Sequence, residues 1–317
     1  MKLSRIGEFK IIDLIRKSVK LNDKRVLVGL GDDCAVVRED SKKLLMATTD
    51  MLVEDVHFIL KFSPYLLGKK SMLVNVSDIV SMGGIPRYAL VSIGLPRTIT
   101  VGFVKSLYKG IQNVCREFNI DLIGGDTVFS HKVVINISLL GEIEKGKFLL
   151  RSSAKVDDYI LVTGFLGDGA SHLLENKIYI PEIRLDFVRE LVRHNLVNAM
   201  IDISDGLSSE INHIVVESNV GAEIFENNIP ISNHTLKAAK LYKKNAHQLA
   251  LNGGEDYELL FTVSPENLFN TLRLARNNVK VSVLGRIVSK KFGVAIINKN
   301  GKREKLRAKG YDHFAQN

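Results

Sequence analysis

Short apolar runs of strand length alternate along this chain with longer stretches whose apolar residues recur at helical spacing. Residues 26–30, 44–48, 89–95 and 133–142 predict strands in the first half. Residues 159–163, 199–203, 258–263, 281–287 and 294–297 predict strands in the second half. Phe103, Leu107, Ile111, Val114, Cys115 and Phe118 fall on one face of a helix over 103–118. A second helix over 67–82 is stopped by Gly83-Gly84 and Pro86. A third follows Gly206, with Leu207, Ile211, Ile214 and Val215 on one side. Mixed elements without a repeat predict an α/β or α+β protein. The polar, basic stretch 146–154 follows a long apolar strand and precedes another, so it divides the chain into domains 1–145 and 146–317.

Composition narrows the class. The 317 residues include 45% hydrophobic and 25% charged positions, which excludes a disordered, collagen-like or coiled-coil chain. Two cysteines, Cys34 and Cys115, imply no disulfide framework. The N-terminal twenty residues mix charge with apolar positions, unlike a signal peptide, and no apolar run is long enough to span a bilayer. These features predict a cytoplasmic protein with no membrane contact. The net charge of +9 alone would suit a nucleic-acid binder. No aromatic-basic interleaving accompanies it, and the basic stretches 240–244 and 299–309 read as solvated surface, so no nucleic-acid partner is expected.

The acids are concentrated rather than spread. Gly31-Asp32-Asp33, Thr48-Thr49-Asp50, Gly124-Gly125-Asp126-Thr127, Asp202-Ile203-Ser204-Asp205-Gly206 and Gly253-Gly254-Glu255-Asp256 sit at predicted strand ends, and Asp78 lies inside an apolar helix. Any one group could be a turn or a cap. Together they exceed what turns require. Short carboxylates with hydroxyl and carbonyl oxygens suit hard divalent cations, and such cations suit phosphate chemistry. A cleft gathering these acids, Asp256 included, would leave the remaining surface basic and attractive to anionic substrates. Sequence patterns for a P-loop, a protein kinase, a dinucleotide fold or a zinc site are missing.

In combination these motifs resemble the thiamine-monophosphate kinase family, within the aminoimidazole ribonucleotide synthetase-like superfamily. The resemblance rests on GDDCAVV, TTDMLVEDVHF, VNVSDIVSMGGIP, IGGDT, DISDGL, GGEDYELLFTV and the terminal GYDHF, in family order across nearly the whole chain. It implies an N-terminal α/β dimerisation domain with a mixed sheet, a C-terminal α+β domain, and a homodimer. It also implies several Mg²⁺ ions, ATP as co-substrate and thiamine monophosphate as acceptor, in the last step of thiamine diphosphate formation. Carried over by position, Asp33, Thr48, Thr49, Asp50, Asp78, Asp126, Asp202 and Asp205 would form the Mg²⁺ shell, with Asp33, Asp126 and Asp205 central to catalysis. Tyr108, Gly125, Asp126, Arg151 and Ser204 would contact ATP. His57, Glu255 and Tyr311 would contact thiamine monophosphate.

Three segments depart from the family pattern, one being the RHxxPxPR stretch, which is present only in part as Pro181 and Arg184. Asp55 stands where the family usually has glycine, and Arg151-Ser152-Ser153-Ala154-Lys155-Val156-Asp157 replaces the usual RSGAKPGD stretch. The alternative within the superfamily is a synthetase with another acceptor. A selenophosphate synthetase would be expected to carry a reactive Cys and Lys near its N-terminus, whereas Cys34 follows Gly31-Asp32-Asp33.

Overall fold

The computed structural model describes residues 8–276 and 279–310. Helix α1 (Glu8–Ser18) leads into β1 (Val26–Val28), β2 (Ala35–Arg38) and β3 (Lys43–Val53). Helix α2 (Pro64–Ser81), β4 (Ile85–Leu95), α3 (Val101–Phe118), β5 (Asp121–Phe129) and β6 (Val134–Glu144) complete the first half. Its six strands form one mixed sheet in the order β1-β2-β3-β6-β4-β5. Strands β4 and β5 pair in parallel and are joined through α3, as a parallel pair requires. Strand β6 alternates cleanly, burying Ile135, Ile137, Leu139 and Ile143 on one face.

The second half contains β7 (Tyr159–Thr163), α4 (Asp168–Leu174), α5 (Leu185–Arg193), β8 (Ala199–Asp202), α6 (Leu207–Ser218) and β9 (Gly221–Phe225). It continues with α7 (Asn233–Leu241), α8 (Ala246–Asn252), β10 (Leu259–Val263), α9 (Pro265–Ala275), β11 (Val281–Val288), β12 (Val294–Ile297) and β13 (Arg303–Lys305). Its sheet has the order β13-β12-β9-β11-β7-β10-β8. The expected pairing of an α/β half with an α+β half is thus observed.

Helix α2 joins the halves. It is buried along most of its length and touches β3, β4, β6, α3, α5 and β8. Glycines let α2 and α3 approach closely. A Cβ at Gly68 would stand 2.0 Å from the Leu107 carbonyl oxygen, and one at Gly110 would stand 2.0 Å from that of Tyr65. One apolar core runs from the first sheet through α2 to Phe187, Leu191, Leu161 and Phe261 of the second half. The other face of the second sheet packs Ile160, Val162 and Ile201 against Ile211 and Ile214 of α6.

Every strand expected from the apolar runs is present, with β3 extended to Val53 and β1 shortened to three residues. The Gly124-Gly125-Asp126-Thr127 group, expected at a strand end, lies inside β5. Two adjacent glycines hid this strand, because its conformation comes from pairing with β4 rather than from propensity.

Candidate active site

Five side chains of α2 point along one face: Lys70, Val74, Ser77, Asp78 and Ser81, at helical spacing. Four of them, all but Val74, reach carboxylates or hydroxyls on other elements. Thr48 of β3 donates its hydroxyl to Oδ2 of Asp78 at 2.6 Å. Ser81 donates to Oδ2 of Asp33 at 2.6 Å, and Ser77 to Oδ2 of Asp202 at 2.5 Å. Asn75 accepts the Asp50 backbone N–H through Oδ1 at 3.0 Å. The helix therefore gathers acids from the β1–β2 loop, β3 and the end of β8.

Arg151 opens a single 3-10 turn and lies against the same group. Its guanidinium donates to Asp33, and its Nε lies 3.4 Å from Oδ1 of Asp32. Burial opposes its charge, but Asp33 and Asp32 hold its pKa above the ordinary arginine value.

These carboxylates repel one another. Burial pushes the Asp50 pKa up to about 6, and the Asp33 charge adds to the rise. Burial raises Asp202 to about 8, again with Asp33 contributing, and raises Asp32 to about 7. Asp78 is pushed well above the carboxylate range by burial and by Asp50, Asp202 and Asp33. Negative groups crowded in low dielectric favour cations between them. Oxygen donors alone suit a hard divalent ion. Among the described residues no three His, Cys, Asp or Glu side chains form a ready-made metal cage. Carboxylate and hydroxyl oxygens of this kind fit Mg²⁺, which usually keeps waters and phosphate oxygens among its ligands.

Thr49 points the other way. Neighbours on a strand face opposite sides, and its hydroxyl bonds the Ile137 carbonyl oxygen at 3.1 Å, on β6, away from Asp78.

A cavity of about 400 Å³ opens beside the acids, lined among others by Asp50, His57, Lys70, Asp205, Glu255 and Tyr257. Lys70 and Glu255 form an ion pair across it, with Nζ to Oε2 at 2.6 Å. His57 accepts the Val53 N–H at Nδ1, so a neutral ring carries its proton on Nε2. Ser204 lines the same cavity, and its carbonyl oxygen accepts the Glu255 N–H at 2.6 Å. Buried Glu210 accepts the Asp205 N–H at 3.0 Å and so holds the turn that presents Asp205.

Asp126 sits apart, on exposed β5. It lines a second cavity of about 310 Å³ with Ser92, Phe129 and Asn136, and Met51 borders both cavities. Gly125 beside it has φ of +156°, and a Cβ there would stand 1.8 Å from the Val91 carbonyl oxygen. Tyr108 on α3 packs against the core and lines neither cavity. Tyr311 lies outside the described residues.

Asp256 does not join the cleft that the sequence suggested for it. Its carboxylate accepts the N–H groups of Gly167 and Gly169 at 2.8 and 2.9 Å, capping the start of α4 from a distant segment. Two of the departures from the family pattern also acquire a geometric account. Asp55 has φ of 64° and Asp157 φ of 77°, where a glycine would be unstrained and aspartate is tolerated.

Lys70, Asn75, Ser77, Ser81 and Glu210 were not singled out from the sequence. Their signal was the spacing on α2 and α6, masked by the bland identity of buried serines and a lysine.

The aminoimidazole ribonucleotide synthetase-related N-terminal domain model matches residues 31–143, and its C-terminal counterpart matches residues 155–298. The chain is 36% identical to the thiamine-monophosphate kinase of Aquifex aeolicus, over 99% of this chain and 100% of that one. It is also 36% identical to the Bacillus subtilis thiamine-monophosphate kinase, over 98% and 100%. A solved structure described as AaThiL complexed with AMPPCP and TMP superposes with a TM-score of 0.84 at 35% identity, covering 99% of each chain.

Proposed function

The chain belongs to the thiamine-monophosphate kinase family, and on that premise we propose that it moves the terminal phosphoryl group of ATP onto the phosphate of thiamine monophosphate. The products are thiamine diphosphate and ADP. One observation carries the reading within this molecule: Asp33, Asp50, Asp78 and Asp202, from four separate segments, meet around α2 beside a cavity holding a free-standing ion pair.

The attacking atom is a phosphate oxygen, already ionised near neutral pH, so no general base is required. The protein's task is in-line positioning and charge neutralisation. Asp33, Asp50, Asp78, Asp202 and Asp205, with Thr48, are the residues that would hold Mg²⁺. Those ions would supply the screening that lets two polyanions approach and would stabilise charge on the departing ADP. Asp126, from the neighbouring cavity, and the Thr49 backbone, on β3, complete the proposed set. Arg151, Ser204 and the Gly125 backbone are proposed to hold ATP phosphates, and Tyr108 its nucleoside end. Glu255 offers a carboxylate to the cationic ring of the acceptor, His57 borders the same cavity, and Tyr311 is proposed to stack on the ring.

A homodimer is supported by β5. It is one edge of the first sheet, and Ile123, Val128 and Phe129 are exposed on it. Both cysteines are buried and free, which supports a reducing, cytoplasmic setting. Among the described residues no helix is long and apolar enough to cross a membrane.

Incubation with ATP, Mg²⁺ and thiamine monophosphate tests the activity. Stoichiometric thiamine diphosphate and ADP are expected. ADP without thiamine diphosphate would mean another acceptor or simple hydrolysis.

A further inference from the structure

Lys70 is 2% exposed, yet it lines the acceptor cavity. Among the described residues that line it, it is the one permanent cation, against Asp50, Asp55, Asp205 and Glu255. A buried ammonium is stable only when paired, and among the described residues its hydrogen bond goes to Glu255 alone. Two of its three N–H donors are therefore left for a ligand. Glu255 is equally constrained. Its backbone has φ of 60°, after Gly254 at 66°, and its N–H is tied to Ser204, so the carboxylate is held at the cavity rather than free to retreat.

We propose that Lys70 and Glu255 together select a zwitterionic acceptor, Lys70 binding its phosphate and Glu255 its cationic ring. This rests on the activity proposed above and names the residue that makes the phosphate obligatory. Mg²⁺ held by Asp50 and Asp205 would offset part of the acidic lining, and Lys70 is the lining side chain that meets the phosphate with a positive charge of its own. A zwitterion inserts between the two charges and leaves each of them paired. The unphosphorylated alcohol carries only the cation. Its ring draws on Glu255 and leaves the Lys70 ammonium buried without a partner, so the pair discriminates against the alcohol as well as favouring the phosphate ester.

The test is binding of thiamine monophosphate and of thiamine to wild type and to Lys70→Met, each measured by calorimetry, with wild-type turnover measured first. Loss of a charge-assisted bond should weaken thiamine monophosphate by roughly 10- to 100-fold in Lys70→Met. Thiamine should bind as well as before or more tightly. Parallel weakening of both ligands would overturn the role of Lys70, because a residue that merely braced Glu255 would serve the ring in both. Unchanged binding of thiamine monophosphate would overturn it equally. Should Lys70→Met not fold, Lys70→Gln, which keeps a donor to Glu255, is read by the same two ligands. Wild type that makes no thiamine diphosphate overturns the underlying activity. Wild type that makes it, with both ligands weakened alike in the variant, overturns only the selectivity of the pair.

Discussion

Ser77 on α2 donates its hydroxyl to Oδ2 of Asp202 at the end of β8, 2.5 Å away, across the junction of the two sheets. This contact ties a carboxylate of the second half to the helix that organises the first. Ser77 and Asp202 are both buried, so neither has water as an alternative partner.

Ser77→Ala should therefore cost stability and alter metal use together. Removing a buried hydrogen bond to an acidic group is worth about 1–3 kcal/mol. Denaturant unfolding should show that loss, and the Mg²⁺ concentration for half-maximal activity should shift. A variant with wild-type stability would show that the contact is energetically idle.

Asp33→Asn should keep the fold and lose activity. The amide retains a shape that can meet Ser81 and Arg151 but removes the charge proposed for Mg²⁺. A fall of at least about 100-fold in kcat/KM is expected. Asp126→Asn should behave similarly while leaving the unfolding midpoint unchanged, because Asp126 is exposed. Near wild-type turnover of either variant at limiting Mg²⁺ would remove that residue from the proposed set.

His213 on α6 makes stability depend on pH. Burial, aided by the Arg151 charge, lowers its pKa from 6.5 to about 4. The unfolded chain therefore binds the proton more readily than the folded one. The neutral ring's contribution is fully present above pH ~6.5 and is lost as the pH falls toward 4, by up to about 3 kcal/mol. Urea melts of wild type and His213→Gln should differ in slope over that window. Parallel curves would refute the assignment.

Asp157 tests the left-handed turn that replaces the family glycine. Asp157→Gly should be close to neutral, since glycine reaches φ of 77° without strain. Asp157→Ala should destabilise by about 1 kcal/mol. Equal melting points for both variants would argue that the turn stores no strain.

Much of this organisation was legible before folding was considered. Strands such as β6 and β7 announce themselves because burial on a pleated sheet imposes its own pattern on apolar residues. The helix over 103–118 does so through its spacing. The acidic groups were equally visible, because Asp beside Gly is conspicuous. Strand β5 was hidden by Gly124-Gly125, since its conformation is imposed by the neighbouring β4. Asp78 could have faced water on its helix, and packing of α2 against β3 turned it inward to Thr48.

The chain by itself determined most of the strands, the helices α2, α3 and α6, and which segments carry carboxylates. Those properties follow from local periodicity and residue type. Tertiary structure decided which carboxylates meet. It brought Asp202 to Ser77, sent Asp256 away to cap α4, and turned Thr48 rather than Thr49 toward Asp78. It also joined Lys70 to Glu255, 185 positions apart. Electrostatic pairing acts through space at a few ångströms, and only the packing of α2 between the two sheets brings such distant charges within that range.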